Sequence, residues 1–102
     1  MEKRDSIFMV NSAIFAFDYL SKHPGALPEE IIKEFLKSPS SRLKGKNKET
    51  QLYEVAAINK LCKIKNKNKL KTKKQVMHIF VNSIGEIARE MEPPVILDES
   101  EN

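Results

Sequence analysis

Six lysines at alternate positions (Lys63, Lys65, Lys67, Lys69, Lys71 and Lys73) carry the plainest chemistry in this chain. Between Lys60 and Lys74, eight of fifteen residues are Lys and none is acidic. From Arg42 to Lys74, twelve Lys and Arg side chains meet only Glu49 and Glu54, a net of +10, whereas the whole chain carries +4. Positive charge gathered in this way suits docking against an anionic polymer, and nucleic acid is the commonest one in cells. Lysine offers a point charge and not a planar fork, so such a surface grips phosphates and does not read bases. The six lysines are therefore the expected contacts, with Arg42, Lys44 and Lys46 as secondary ones. Tyr53 is the nearest aromatic, which gives base stacking little support. An AT-rich coding sequence would also enrich Lys and Asn together and leave a merely solvated loop. Against that reading, Gln75–Asn102 holds one Arg and six acids, so the enrichment is local.

Other reactive groups are few. His23 and His78 are the two imidazoles, and neither has a second His, a Cys or a carboxylate at ligand spacing, so no metal site is expected. Cys62 closes an apolar helical stripe, where a packing thiol is the ordinary outcome although Lys63 stands beside it. A lone cysteine excludes an internal disulfide framework and suits a reducing compartment. No Gly-rich phosphate loop is present, and the pair Glu29–Glu30 is explained by a helix start. The reading is a non-enzyme with no cofactor and no small-molecule substrate.

Positioning the lysines requires a scaffold, and 102 residues suffice for one domain with a modest core. Helix one should span Asp5–Lys22, with Ile7, Phe8, Met9, Val10, Ala13, Ile14, Phe15, Phe17, Tyr19 and Leu20 covering nearly its whole circumference. An all-round apolar helix is either central or pairs with a second copy, so a homodimer through helix one is an expectation. Its length, its polar interruptions at Asn11 and Ser12 and its close at Asp18 favour a core helix over a signal or a membrane span. A cytoplasmic protein is expected.

Helix two begins at Pro28 and presents Leu27, Ile31, Ile32, Phe35 and Leu36 as a stripe, with Ser38-Pro39 ending it. Residues 40–47 read as an exposed basic connection. Helix three should cover Glu49–Cys62, after which Lys alternates with Ile64, Asn66, Asn68, Leu70 and Thr72. A period of two places every lysine on one face of an extended chain. A two-stranded wing turning at Asn66-Lys67-Asn68 is one reading, and a flexible loop is the other. Thr72-x-x-Gln75 has capping-box spacing and opens helix four, whose face is Val76, Phe80, Ile84, Ile87, Ala88 and Met91. Gly85 inside it suggests a close helix crossing. The fold class expected is all-α, a four-helix domain over residues 1–92 with a wing as an option. Pro93-Pro94 then leads into an acidic tail, residues 93–102, expected to be disordered. Asp98, Glu99 and Glu101 of that tail can compete with phosphate for the lysines, so deleting residues 95–102 is expected to tighten binding.

Residues 16–37 (AFDYLSKHPGALPEEIIKEFLK) resemble the opening of helix-turn-helix and winged-helix DNA-binding domains. In those, a first helix ends at a Pro-Gly turn, a Leu enters the core and a short acidic-apolar helix follows. Ser40-Ser41-Arg42-Leu43 stands where such domains begin the recognition helix, and Lys63–Lys73 would be the wing. The resemblance implies DNA contact by a helix in the major groove and by the wing on phosphates. Gly45 and the surrounding Lys/Asn cluster interrupt that recognition helix after barely one turn. A turn of about ten residues would precede helix three if it served instead, against the usual three or four.

Two further classes remain open. Bacteriocin immunity proteins are also small, basic helical bundles, and a viral or plasmid-borne binder of a host factor has the same outline. Neither needs nucleic acid.

Overall fold

Two twenty-residue helices set the architecture, α1 (Lys3–Lys22) and α3 (Lys48–Lys67). Around them pack α2 (Pro28–Lys37), α4 (Lys73–Asn82) and α5 (Ile84–Met91). The computed structural model describes residues 3–39 and 47–91, and among these it forms an all-α bundle with no strand. The basic connection and the acidic tail expected from the sequence lie outside the described residues.

Pairing of α1 with α3 is parallel, because Asp5 meets Thr50, Ser12 meets Glu54 and Phe17 lies beneath Lys65. Met9, Ala13 and Ala16 of α1 and Ala57, Ile58 and Leu61 of α3 are fully buried between them. Small residues at 13, 16 and 57 let the two backbones approach closely. Polar groups also cross this seam. Thr50 Oγ1 donates to Asp5 Oδ1 at 2.6 Å, with both residues buried in the first turns of their helices. There the carboxylate faces the positive ends of two helix dipoles. Ser12 Oγ donates to the carbonyl of Met9 at 2.9 Å and to that of Glu54 at 3.4 Å.

Helix α2 opens on Pro28 and buries Ile31 and Phe35 completely, while Leu27 and Leu36 of the expected stripe stay exposed. Phe15 meets Phe35 edge-on, with centroids 5.3 Å apart. Helices α2, α3 and α4 all pack against α1, and Val10, Phe15 and Tyr19 join its buried residues at the core. Ile7 is the exposed large hydrophobic among its described residues.

The C-terminal third departs from expectation in three places. No wing forms, since α3 continues through Lys67. Ile64 follows Leu61 by three residues and is buried on the same helical face, which draws the lysine segment into the helix. Asn68 then closes it, donating its side-chain amide to the Ile64 carbonyl at 2.7 Å. Leu70, expected opposite Ile64, is fully exposed in the turn. Next, the single long helix expected from Thr72 onward is divided at Ser83, making five helices instead of four. Ser83 Oγ bonds back to the Ile79 carbonyl at 2.9 Å, a competing contact that loosens helices, and Gly85 follows as a weak helix former. Finally, Gly85 marks no close crossing, because a Cβ built there meets nothing within 4 Å. The capping box that opens α4 is present in both directions: Gln75 N–H to Thr72 Oγ1 at 3.3 Å, and Thr72 N–H to Gln75 Oε1 at 2.9 Å.

Candidate nucleic-acid interface

Parallel packing of α1 and α3, followed by the short turn into α4, gathers three helix ends at one pole. These are the C-termini of α1 and α3 and the N-terminus of α4. Lys73 of α4 reaches α1, its Nζ 2.7 Å from Asp18 Oδ1. Lys65 of α3 lies over the Phe17 ring, its Nζ 4.6 Å from the centroid, and Lys73 Nζ is 6.0 Å from the same ring. An aromatic face with negative quadrupole thus lies beneath two ammonium groups.

Because Lys63, Lys65 and Lys67 are helical, they do not share one face as an extended chain would allow. At about 100° per residue, Lys63 and Lys67 point to nearly the same side while Lys65 is about 160° from Lys63. Between these two directions runs a cleft of about 910 Å³, with Leu20, Pro24, Ala26, Leu27 and Cys62 among its lining. Lys63, Lys65 and Lys69 belong to that lining as well. Lys67, Lys69 and Lys71 are exposed at the turn, Lys63 is exposed and Lys65 is half-buried. All six lysines expected as contacts therefore sit at this pole, but around it and not in a row, and Lys73 is held by Asp18. Arg42, Lys44 and Lys46 lie outside the described residues. Lys60, one turn earlier on α3, is turned to Glu86 of α5 at 3.3 Å.

Helix dipoles separate these cations into two groups. Lys65 and Lys67 in the last turn of α3, like Lys22 in the last turn of α1, stabilise the negative ends of their helices. Lys73 and Lys74 occupy the first turn of α4, where no acid is present and the dipole disfavours positive charge. Asp18 compensates Lys73 from the neighbouring helix. Lys74 is exposed, and fold stability gives no reason for a cation there.

Sequence reasoning left out Lys74, Lys22 and Phe17. For Lys74 the signal was available, since the Thr72 capping box fixes residues 73 and 74 as a first turn. Nothing in the sequence pattern marked Phe17 as the platform for lysines some fifty positions later.

The other reactive groups are placed as follows. His23 is exposed and rests against Tyr19, with centroids 4.7 Å apart, and His78 contacts Asn82 at 3.3 Å. Burial pushes the Cys62 thiol up from its ordinary pKa. Tyr19 donates its hydroxyl to Glu30 at 2.5 Å, and that carboxylate is the main reason its pKa is pushed up to about 12. Among the described residues, no three His, Cys, Asp or Glu side chains are grouped to hold a metal ion, and no helix is long and apolar enough to cross a membrane. No protein-family model, curated protein or solved structure matches this chain.

Proposed function

We propose that this chain is a non-catalytic nucleic-acid-binding protein of regulatory type that grips phosphates with the lysines at one pole of its bundle. Lys63, Lys67, Lys69, Lys71 and Lys74 make the contacts, with Lys65 and Lys73 alongside and Arg42, Lys44 and Lys46 as secondary members. Duplex nucleic acid is favoured over single strands by the scarcity of aromatic side chains among these lysines, and DNA over RNA by the resemblance of residues 16–37 to helix-turn-helix domains. The observation that carries this reading is Lys74, an exposed cation in a helix first turn where it costs stability. Contact with an external anion explains it; a role within the fold does not.

A salt titration tests the proposal. Five lysines on duplex phosphates give a slope of about −4.5 in log K against log salt, at about 0.9 per contact. Binding of a labelled random duplex and a matched RNA duplex is followed by anisotropy at increasing NaCl. Binding at 50 mM NaCl that fades steeply towards physiological salt supports the reading. No binding at 50 mM NaCl overturns it and leaves the protein-binding classes standing.

A further inference from the structure

The cleft beside Cys62 joins two chemistries that phosphate contacts alone do not need together. Its volume of about 910 Å³ falls within the range of about 300–1,000 Å³ that suits small organic molecules. Leu20, Leu27 and Cys62 contribute apolar surface, while Lys63, Lys65 and Lys69 contribute charge, and no acid belongs to the lining. Leu27 is 62% exposed there, although Ile31 and Phe35 of the helix it introduces are fully buried. The lysines on either side of this group are neutralised within the fold, Lys60 by Glu86 at 3.3 Å and Lys73 by Asp18 at 2.7 Å. Among the described residues, Lys63, Lys65 and Lys69 form no ion pair with a carboxylate. Lys65 instead rests over the Phe17 ring, its Nζ 4.6 Å from the centroid. A fitting occupant covers the apolar surface and neutralises ammonium groups at once. Inorganic phosphate does only the second, and a neutral hydrocarbon only the first.

We infer that this cleft binds a small organic anion with an apolar body, of the chemical class of a medium-chain carboxylate. The hydrocarbon lies against Leu20 and Leu27, and the carboxylate is met by Lys63, Lys65 and Lys69. Charge complementarity selects this class over a neutral or cationic amphiphile, since the lining holds three cations and no anion. The inference rests on the cleft lining alone and holds whether or not nucleic acid docks at the same pole.

Decanoate is the probe, titrated into the full chain without nucleic acid, below the onset of micelles, and followed by amide chemical shifts. Shifts at Ser21, Leu27, Cys62 and Lys65 are expected to move together and to saturate at one ligand per chain. Leu52, which is 60% exposed farther up α3 and outside the cleft, should stay unmoved. Octanoate should bind about tenfold more weakly, because each buried methylene is worth about fourfold in affinity. Decyltrimethylammonium has the same chain with the opposite charge, and should also bind at least about tenfold more weakly. A K63Q/K65Q/K69Q variant should keep its helicity and lose the preference for decanoate over the cation. Equal binding of the two amphiphiles by the unaltered chain overturns the inference. So do shifts that climb at Leu52 and the cleft alike without saturating, since they reduce the effect to general adhesion, and so does the absence of any shift.

Discussion

Replacing Lys74 by Glu should make the protein more stable and a weaker ligand for nucleic acid at once. The residue sits in the first turn of α4, among backbone amides that carry the positive end of the dipole, with no acid in that turn. One charge at a helix terminus is worth about 0.3–1 kcal/mol at low ionic strength, and the swap both removes an unfavourable charge and adds a favourable one. The gain expected is therefore about 1 kcal/mol, or a rise in Tm of about 4–8 °C for a domain of this size. Lys73→Gln is the internal control. It relieves the same dipole but loses the Asp18 pair, whose side chains are 45% and 53% exposed and which is worth about 0.2–1 kcal/mol, so its net effect should be near zero. Thermal melts followed by circular dichroism at 20 mM and 500 mM NaCl measure both, with the Lys74→Glu gain shrinking at high salt. In the same variant the salt slope for duplex DNA should fall by about 1. A Lys74→Glu protein that melts no higher than the parent at low salt would falsify the claim that this lysine is kept against the interest of the fold. Unchanged DNA affinity would remove Lys74 from the contact surface.

Three further outcomes are expected. Gly85→Ala should stabilise by about 0.5–1 kcal/mol, read from the urea midpoint, because a methyl there meets open space and Ala is the better helix former. Thr50→Val should cost about 1–3 kcal/mol by the same assay, since it leaves the buried Asp5 carboxylate short of a donor. Tyr19, in a Tyr53→Phe background, should ionise at about pH 12 by absorbance near 295 nm, and Glu30→Gln should lower that value. The native state holds the Tyr19 proton more tightly than the unfolded chain does. Its stabilising share is thus complete below the ordinary value of 10.0 and is lost as pH rises through about 12.

Elements governed by local rules were legible in the sequence. The Pro28 start of α2, the Thr72–Gln75 capping box and the burial of Val76, Phe80, Ile87 and Ala88 follow from residues within a few positions of one another. What eluded the sequence depended on competition between two valid patterns. Alternation of lysine from 63 to 73 suggests an extended chain, while Ala57, Leu61 and Ile64 continue a helical stripe, and burial of Ile64 decides for the helix. The division at Ser83 rests on one hydroxyl choosing a backbone carbonyl, a choice that composition does not display. At the candidate site, the lysines were visible as charge, but their angular spread comes from the continuation of α3 through Lys67 and the Lys73–Asp18 pair from tertiary packing across 55 positions.

The parallel seam between the first and third helices has a bearing on how the molecule is made. Asp5 waits for a hydroxyl 45 positions downstream, and Ser12 for a carbonyl 42 positions downstream. While the ribosome is still elongating, Met9, Ala13 and Ala16 have no mate, and the second helix covers only a flank. Synthesis of this chain therefore passes through an interval in which its greasiest segment is bare, and which ends only when the third helix emerges from the exit tunnel.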